Sequence, residues 1–261
     1  MFHVEQGDRK EPKVPSSRDI PVPSKGLLAG LIAGAGLSVP PGAEGLLISH
    51  TREVLRWNRS IRLTAITAPE EVAVKHILDS LLLLKFSPFP GRILDFGSGA
   101  GYPGIPLAVA LPGSRVVLLE SSGRKCAFLS HALRKLSLVN ADVVNARLER
   151  RSLLSIGQFE HIVTRATHPR EKAVPLLLPY LAPGGRILLM QGPREGKGKR
   201  EKPEREDSSL QGAAQERTVR IELPLGMGFR VIREIPSPVR RLEGPECPGS
   251  RQTRRRAGRP E

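Results

Sequence analysis

Between residues 91 and 129 the chain reads GRILDFGSGAGYPGIPLAVALPGSRVVLLESSGRKCAFL, and no other stretch restricts its fold as much. A short apolar run ends at Asp95 and Phe96, glycines follow at 97, 99 and 101, and a second apolar run leads to a third that ends in Glu120. Runs of Val, Ile and Leu without polar alternation are strands covered on both faces, as in a parallel sheet whose crossover helices pack on either side. A glycine bend between strand and helix sets a helix N-terminus and several backbone polar groups at the carboxyl edge of that sheet, where open α/β folds hold their ligands. The chain is therefore expected to be α/β with a ligand site at this loop.

The flanking text extends the plan. Strands are expected at 92–96, 115–119, 141–146, 160–166 and 186–190, with helices starting near Pro103 and covering about 124–136 and 171–180. Before them lies an all-helical preamble, in which Leu46, Leu47, His50, Val54 and Trp57 fall near one stripe of a helix. Thr67, Pro69 and Glu70 read as a capping box opening a third helix that runs to about Leu84. The runs TVRIELPLG and GFRVIREI, joined by a glycine turn, read as a closing antiparallel hairpin. The expected division is a disordered arm at 1–25 and one domain at 26–242, followed by a disordered basic tail at 243–261. Within the domain, 26–86 hold the N-terminal helices, 91–192 the βα core, 194–217 a polar insertion and 218–236 the hairpin.

Charge points to an anionic partner. The chain carries 41 Lys and Arg against 26 Asp and Glu, a net of +15. Residues 26–193 alone hold 19 basic and 11 acidic groups, so the folded part itself is basic and not just its ends. Aromatic residues make up 4% of the chain, too few for a base-stacking platform. Cys126 and Cys247 give neither a disulfide framework nor a zinc spacing and are expected to be free thiols. No apolar run of about 18 residues is present and the N-terminus lacks an apolar signal core, so a cytoplasmic protein without a membrane span is expected. A monomer is the expected state.

The ligand follows from the sign of the charges around the loop. GAGYPG at 99–104 matches GxGxxG, but the glycine adjoining the strand is Gly97, and read from there the pattern is Asp95, Gly97, Gly99, Gly101. A pyrophosphate would meet repulsion from Asp95, whereas S-adenosylmethionine brings an ammonium and a sulfonium that suit a carboxylate and glycine carbonyls. Its carboxylate suits the helix N-terminus. Glu120, 21 residues beyond Gly99, stands where an acid accepts hydrogen bonds from ribose hydroxyls, a role that a dinucleotide would share.

NRSIRLTAI, KHILDSL, LDFGSGAGYPGIPLAVALP, LLESSGRKCAFL, NARLE, TRAT and LAPGGRILLMQG occur in the order seen in the bacterial ribosomal RNA small-subunit methyltransferase G (GidB) family. The chain resembles that family over about residues 27–192, most specifically at PGIPLA. The resemblance implies a class I S-adenosylmethionine-dependent methyltransferase fold, Rossmann-like, with a mostly parallel seven-stranded sheet and an N-terminal helical layer. It implies methyl transfer to N7 of a guanine in 16S rRNA, conventionally position 527 of that RNA, with 16S rRNA or the 30S subunit as partner. By the same resemblance Gly97 and Tyr102 match cofactor-contacting loop positions, Leu148 and Glu149 match the pair beside the adenine, and Arg165 matches a cofactor- or target-side position. The family has Asn where Arg62 stands, Phe or Leu at Tyr102, and Lys at Gln191.

Guanine N7 offers a lone pair and no proton, so in-line attack on a sulfonium methyl needs alignment and a suitable field but no general base. Arg165 is the expected catalytic, target-side residue, because a planar guanidinium can hold O6 of guanine or a phosphate; a structural ion pair is its competing role. His76, Asp79 and Ser80 lie along one helix face and cannot converge as a triad. No metal site is expected. Two other readings stand beside methyl transfer: an NAD-linked oxidoreductase using GAGYPG, and a non-catalytic or weakly active RNA-binding assembly protein.

Overall fold

A computed structural model of the protein describes residues 20–149, 153–165, 169–192 and 215–238. Arm residues 1–19, most of the polar insertion, the basic tail, His168, Arg194 and Cys247 lie outside the described residues. Residues 20–24, assigned above to the arm, belong to the fold: Ile20 is buried and Val22 packs against the core.

Seven strands form one sheet in the order β3-β2-β1-β4-β5-β7-β6. They are β1 (Arg92–Phe96), β2 (Arg115–Glu120), β3 (Ala141–Asn145), β4 (Phe159–Arg165), β5 (Leu181–Gln191), β6 (Arg217–Glu222) and β7 (Phe229–Pro236). The first five run parallel, and β7 lies antiparallel between β5 and β6. Strand order reverses between β1 and β4, which opens a crevice beyond their carboxyl ends. Phe96 pairs with both Leu119 and Thr164, so the ends of β1, β2 and β4 are level there.

Neighbouring strand residues feed opposite cores. Ile93, Val116, Leu118 and Val163 face a large core closed by the N-terminal helices, α5 (Gly104–Ala110) and α6 (Gly123–Lys135). Leu94, Val117, Leu119 and Ile162 face a smaller one closed by α7 (Arg170–Leu177) and a 3-10 turn at Leu178–Tyr180. Period-two alternation in fully apolar strands thus serves two layers at once.

The N-terminal layer begins with α1 (Lys25–Gly34), where Ser24 Oγ accepts from Leu27 N at 3.1 Å, and continues with α2 (Ala43–Trp57), which buries Leu47, His50 and Val54. The third helical segment starts at α3 (Pro69–Val72), passes through a π-helical turn at Ala73–Leu78 and α4 (Asp79–Leu81), and ends in a 3-10 turn at Leu82–Phe86. The Thr67–Glu70 capping box does not form; the N-cap is Ala68, with no side-chain cap. Proline disfavours the helical region for the residue before it, so Pro69 at the first helical position holds Ala68 extended and moves the start one residue on.

Candidate functional site

The glycine loop is built by its own backbone. Gly97, Gly99 and Gly101 have φ of 78°, 58° and 88°, a left-handed region that L side chains rarely adopt. Gly97 N and Ser98 N donate to Leu119 O at 2.9 and 3.2 Å, Gly101 N donates to Ser98 O at 2.7 Å, and Gly99 N donates to Glu120 Oε2 at 3.0 Å. These four N–H groups are therefore spent inside the protein, whereas the carbonyl oxygens of Gly97 and Gly99 have no partner among the described residues. At the strand end, Gly97 and Gly99, the loop therefore offers acceptors; its N–H groups with no partner among the described residues are those of Ala100 and Tyr102, further on.

Two carboxylates support it. Asp95 is fully buried beneath the loop; its Oδ2 accepts from Gly104 N at 2.9 Å, and its Oδ1 is buried with no partner. Burial, the largest cause, pushes its pKa up to about 7 against the opposing pull of Ser98, whose Oγ donates to the Asp95 main-chain O at 3.0 Å, and of Gly104 N. A Cβ at Gly104 would stand 2.2 Å from Leu118 Cδ2 and 2.5 Å from Asp95 Oδ2, so the glycine of PGIP lets α5 start directly on the carboxylate. Glu120 uses both oxygens, taking Gly99 N on Oε2 and Ser122 N on Oε1 at 2.8 Å, which ties loop to strand end and leaves each oxygen one further lone pair. Beside it, Asn145 Nδ2 donates to Glu120 O at 3.0 Å, Leu148 is buried in the smaller core and Glu149 is exposed.

The N-terminal layer reaches the loop through two histidines. His50 Nε2 lies 2.9 Å from Ala100 O; a carbonyl only accepts, so Nε2 carries the proton, and buried Nδ1 has no partner. His76 Nε2 meets Thr64 Oγ1 at 2.7 Å and its Nδ1 faces Arg165 Nη2 at 3.4 Å. Burial lowers the pKa of His50 to about 4 and, helped by the Arg165 charge, that of His76 to about 3, so both are neutral at physiological pH. The Tyr102 ring lies between them, 4.7 Å from His50 and 4.6 Å from His76, and its hydroxyl lies 3.3 Å from Thr51 Oγ1. The side chain of Tyr102 is thus committed to the helical layer, and burial raises its pKa to about 12.

Arg165, at the end of β4, is held rather than free. Its Nη1 donates to Lys75 O at 2.9 Å and to Asp79 Oδ2 at 3.3 Å, and its guanidinium sits 5.5 Å from the Tyr102 ring centroid. Asp79 is fully buried and also receives Arg230 from β7, at 2.6 Å on Oδ1 and 2.7 Å on Oδ2. KHILDS accordingly forms a latch and not a triad, since Ser80 Oγ donates to His76 O instead of turning to the imidazole. The sequence reading missed Arg230, His50 as a loop contact and Gly104. A glycine after Pro103 was a usable signal for the last; nothing local marks Arg230, 151 residues from Asp79. Among the described residues no group of His, Cys, Asp or Glu is placed to hold a metal ion, and no helix is long and apolar enough to cross a membrane.

Known proteins share both the sequence and the fold. Residues 44–221 match the family model described as rRNA small subunit methyltransferase G. A protein named ribosomal RNA small subunit methyltransferase G from Anaeromyxobacter sp. (strain Fw109-5) is 38% identical over 205 residues, covering 77% of this chain and 92% of that protein. One of the same name from Geobacter metallireducens is 36% identical over 215 residues, covering 82% and 90%. An O-methyltransferase from Bacillus cereus, solved in complex with SAH, matches at a TM-score of 0.54 and 20% identity over 80% of this chain and 97% of that one, a likeness of fold alone. With the family model spanning most of the chain and relatives aligned along nearly their whole length, this protein belongs to the rRNA small subunit methyltransferase G family.

Proposed function

We propose that the protein transfers a methyl group from S-adenosylmethionine to N7 of a guanine in 16S rRNA. One observation carries the choice of donor. Four N–H groups of the glycine loop are already donated within the protein, while the Gly97 and Gly99 carbonyls and Asp95 Oδ1 are left as acceptors. A pyrophosphate needs donors at this position; an ammonium beside a sulfonium needs acceptors. The acceptors at the strand end therefore fit the ammonium and sulfonium of S-adenosylmethionine better than a pyrophosphate.

When bound, the cofactor supplies an electrophilic methyl on a cationic sulfur. The chain's own part is to hold and orient. Asp95 and the loop carbonyls take the positive end, Glu120 keeps a lone pair on each oxygen for ribose hydroxyls, and Leu148 gives an apolar surface beside Glu149 for the base. Guanine N7 would give its lone pair to the methyl carbon while the carbon–sulfur bonding pair would stay on sulfur, so the residues of this chain need only hold and orient the two partners. No proton moves, which accords with His50 and His76 being buried, neutral and engaged in hydrogen bonds. Arg165 is the proposed target-side residue. Its charge near a purine that becomes cationic is offset by Asp79, which lies within 3.3 Å.

The test uses methyl-labelled S-adenosylmethionine and 30S particles from a strain lacking this protein. The expected result is label in 16S rRNA as N7-methylguanine at one site, strongly reduced by Arg165→Ala. Tight NAD uptake with no binding of S-adenosylmethionine or S-adenosylhomocysteine would overturn the reading.

A further inference from the structure

The outer side of α2 carries a feature that the cofactor site does not use. Arg52 and Arg56 are four residues apart, and Arg59 and Arg62 continue at steps of three beyond the end of the helix. On the helix the step from Arg52 to Arg56 returns to one side, and Arg59 and Arg62 follow in the turn and loop directly past its C-terminus, so the four form a ridge continuous in sequence. Arg59 and Arg62 are exposed, and Arg52 and Arg56 are half-buried. Arg52, Arg59 and Arg62 enter no ion pair among the described residues, and Arg56 has only Glu53 at 3.8 Å, whose same oxygen also meets His131 at 3.0 Å. A groove of about 660 Å³ beside the ridge is lined by Lys25, Ser49 and Arg52, which adds a fifth cation.

The end of this ridge is rigidly built. Asn58 Oδ1 accepts from Leu63 N at 2.8 Å and Thr64 N at 3.0 Å, while its Nδ2 donates to Thr64 O at 2.9 Å. One side chain thereby clasps the loop that displays Arg59 and Arg62. Thr64 then contacts His76, whose other nitrogen faces Arg165, so a single imidazole separates the clasped loop from the guanidinium at the cleft. A helix C-terminus welcomes cations, which accounts for Arg56 and Arg59 but not for Arg52 in mid-helix or Arg62 beyond it. Like charges three or four residues apart on a clasped frame, three of the four without an ion pair among the described residues, suit a polyanion with regularly spaced charges.

The geometry points to this ridge, Arg52, Arg56, Arg59 and Arg62, as a docking track for the phosphate backbone of RNA that leads the strand to the cleft at Arg165. The inference rests on the rRNA methyltransferase reading above and adds where the substrate lies. The experiment compares wild type with Arg52→Glu/Arg59→Glu/Arg62→Glu, and with Arg134→Glu/Lys135→Glu at the far end of α6 as a control of equal kind. Binding to protein-free 16S rRNA and to 30S particles is measured across a salt series, and S-adenosylhomocysteine binding by calorimetry. The ridge variant is expected to bind RNA roughly 10- to 100-fold more weakly, with a salt slope shallower by about 2, at roughly 0.7 per phosphate contact on single strands. Cofactor-product affinity is expected to stay at the wild-type value.

Equal losses in ridge and control variants overturn the track, as does a loss confined to 30S particles, which would assign the ridge to a ribosomal protein. Should the triple variant lose the cofactor product as well, the exposed single changes Arg59→Glu and Arg62→Glu decide: each is expected to lower the slope by about 0.7, and an unchanged slope refutes the track. If wild type binds no RNA, the parent reading falls; if it binds and the variants match it, the track alone falls.

Discussion

Asp79 and Asp95 are both completely buried, and their surroundings could hardly differ more. Asp79, between the helical layer and the sheet, meets two guanidinium groups, with Arg230 on both oxygens and Arg165 on one. Asp95, beneath the glycine loop, meets one backbone N–H on one oxygen and nothing on the other. The first carboxylate is a latch whose charge is already balanced. The second is pushed up to about 7 by burial and lacks a cation, which is the condition of a group that a positively charged ligand completes.

The largest effect should come from breaking the latch. Asp79→Ala leaves two mostly buried guanidiniums without their shared counter-ion and is expected to cost about 3–5 kcal/mol, read from urea unfolding. If Asp95→Asn costs as much, the contrast between the two carboxylates is false. Instead, Asp95→Asn is expected to leave the fold nearly as stable while weakening S-adenosylhomocysteine binding by roughly 10- to 100-fold, the loss of a charge-assisted bond, as calorimetry would show.

Gly104→Ala probes the same carboxylate from above. Its Cβ must displace Leu118 or Asp95, so a loss of about 1–3 kcal/mol in thermal or urea unfolding is expected, with weaker cofactor-product binding.

Per pH unit, the effects of pH are smaller still. Asp95 has a folded pKa above its ordinary 3.8, so its contribution favours the fold at low pH and is lost as pH rises through about 7. His50 and His76, held near 4 and 3, act in the other direction: the unfolded chain protonates first, and stability falls as pH drops below about 6.5 toward those values. Asp95→Asn removes the first effect alone, so its stability between pH 4 and 6.5 is expected to decline more steeply with acid, by up to about 1.4 kcal/mol per pH unit. A cation beside Asp95 lowers its pKa, so binding of S-adenosylhomocysteine should strengthen toward pH 7, level off above it and release a proton below it. Calorimetry in two buffers of different ionisation enthalpy measures that proton.

Much of the architecture was legible because it obeys local rules. β1 was placed at Arg92–Phe96 by its apolar run and glycine stop, and the hairpin of β6 and β7 by its glycine turn. Glu120 was singled out by its distance from the loop, and its carboxylate holds the loop itself through Gly99 N. Tyr102 lies in the loop, and its ring stacks on His76 and lies tilted against His50, contacts 26 and 52 residues back along the chain. Thr67 failed as a cap because a neighbouring proline overruled a side-chain preference.

By itself the sequence determined the strand–glycine–helix unit, the parallel sheet around it and the excess of positive charge, since these depend on dihedral preference, apolar periodicity and composition acting within a few residues. Only the tertiary structure decided which charges are balanced. Arg165 and Arg230 reach Asp79 across 86 and 151 residues, and Asp95 is left with a bare oxygen. Pairing of buried charge depends on which surfaces packing removes from water, and no local stretch of chain carries that information.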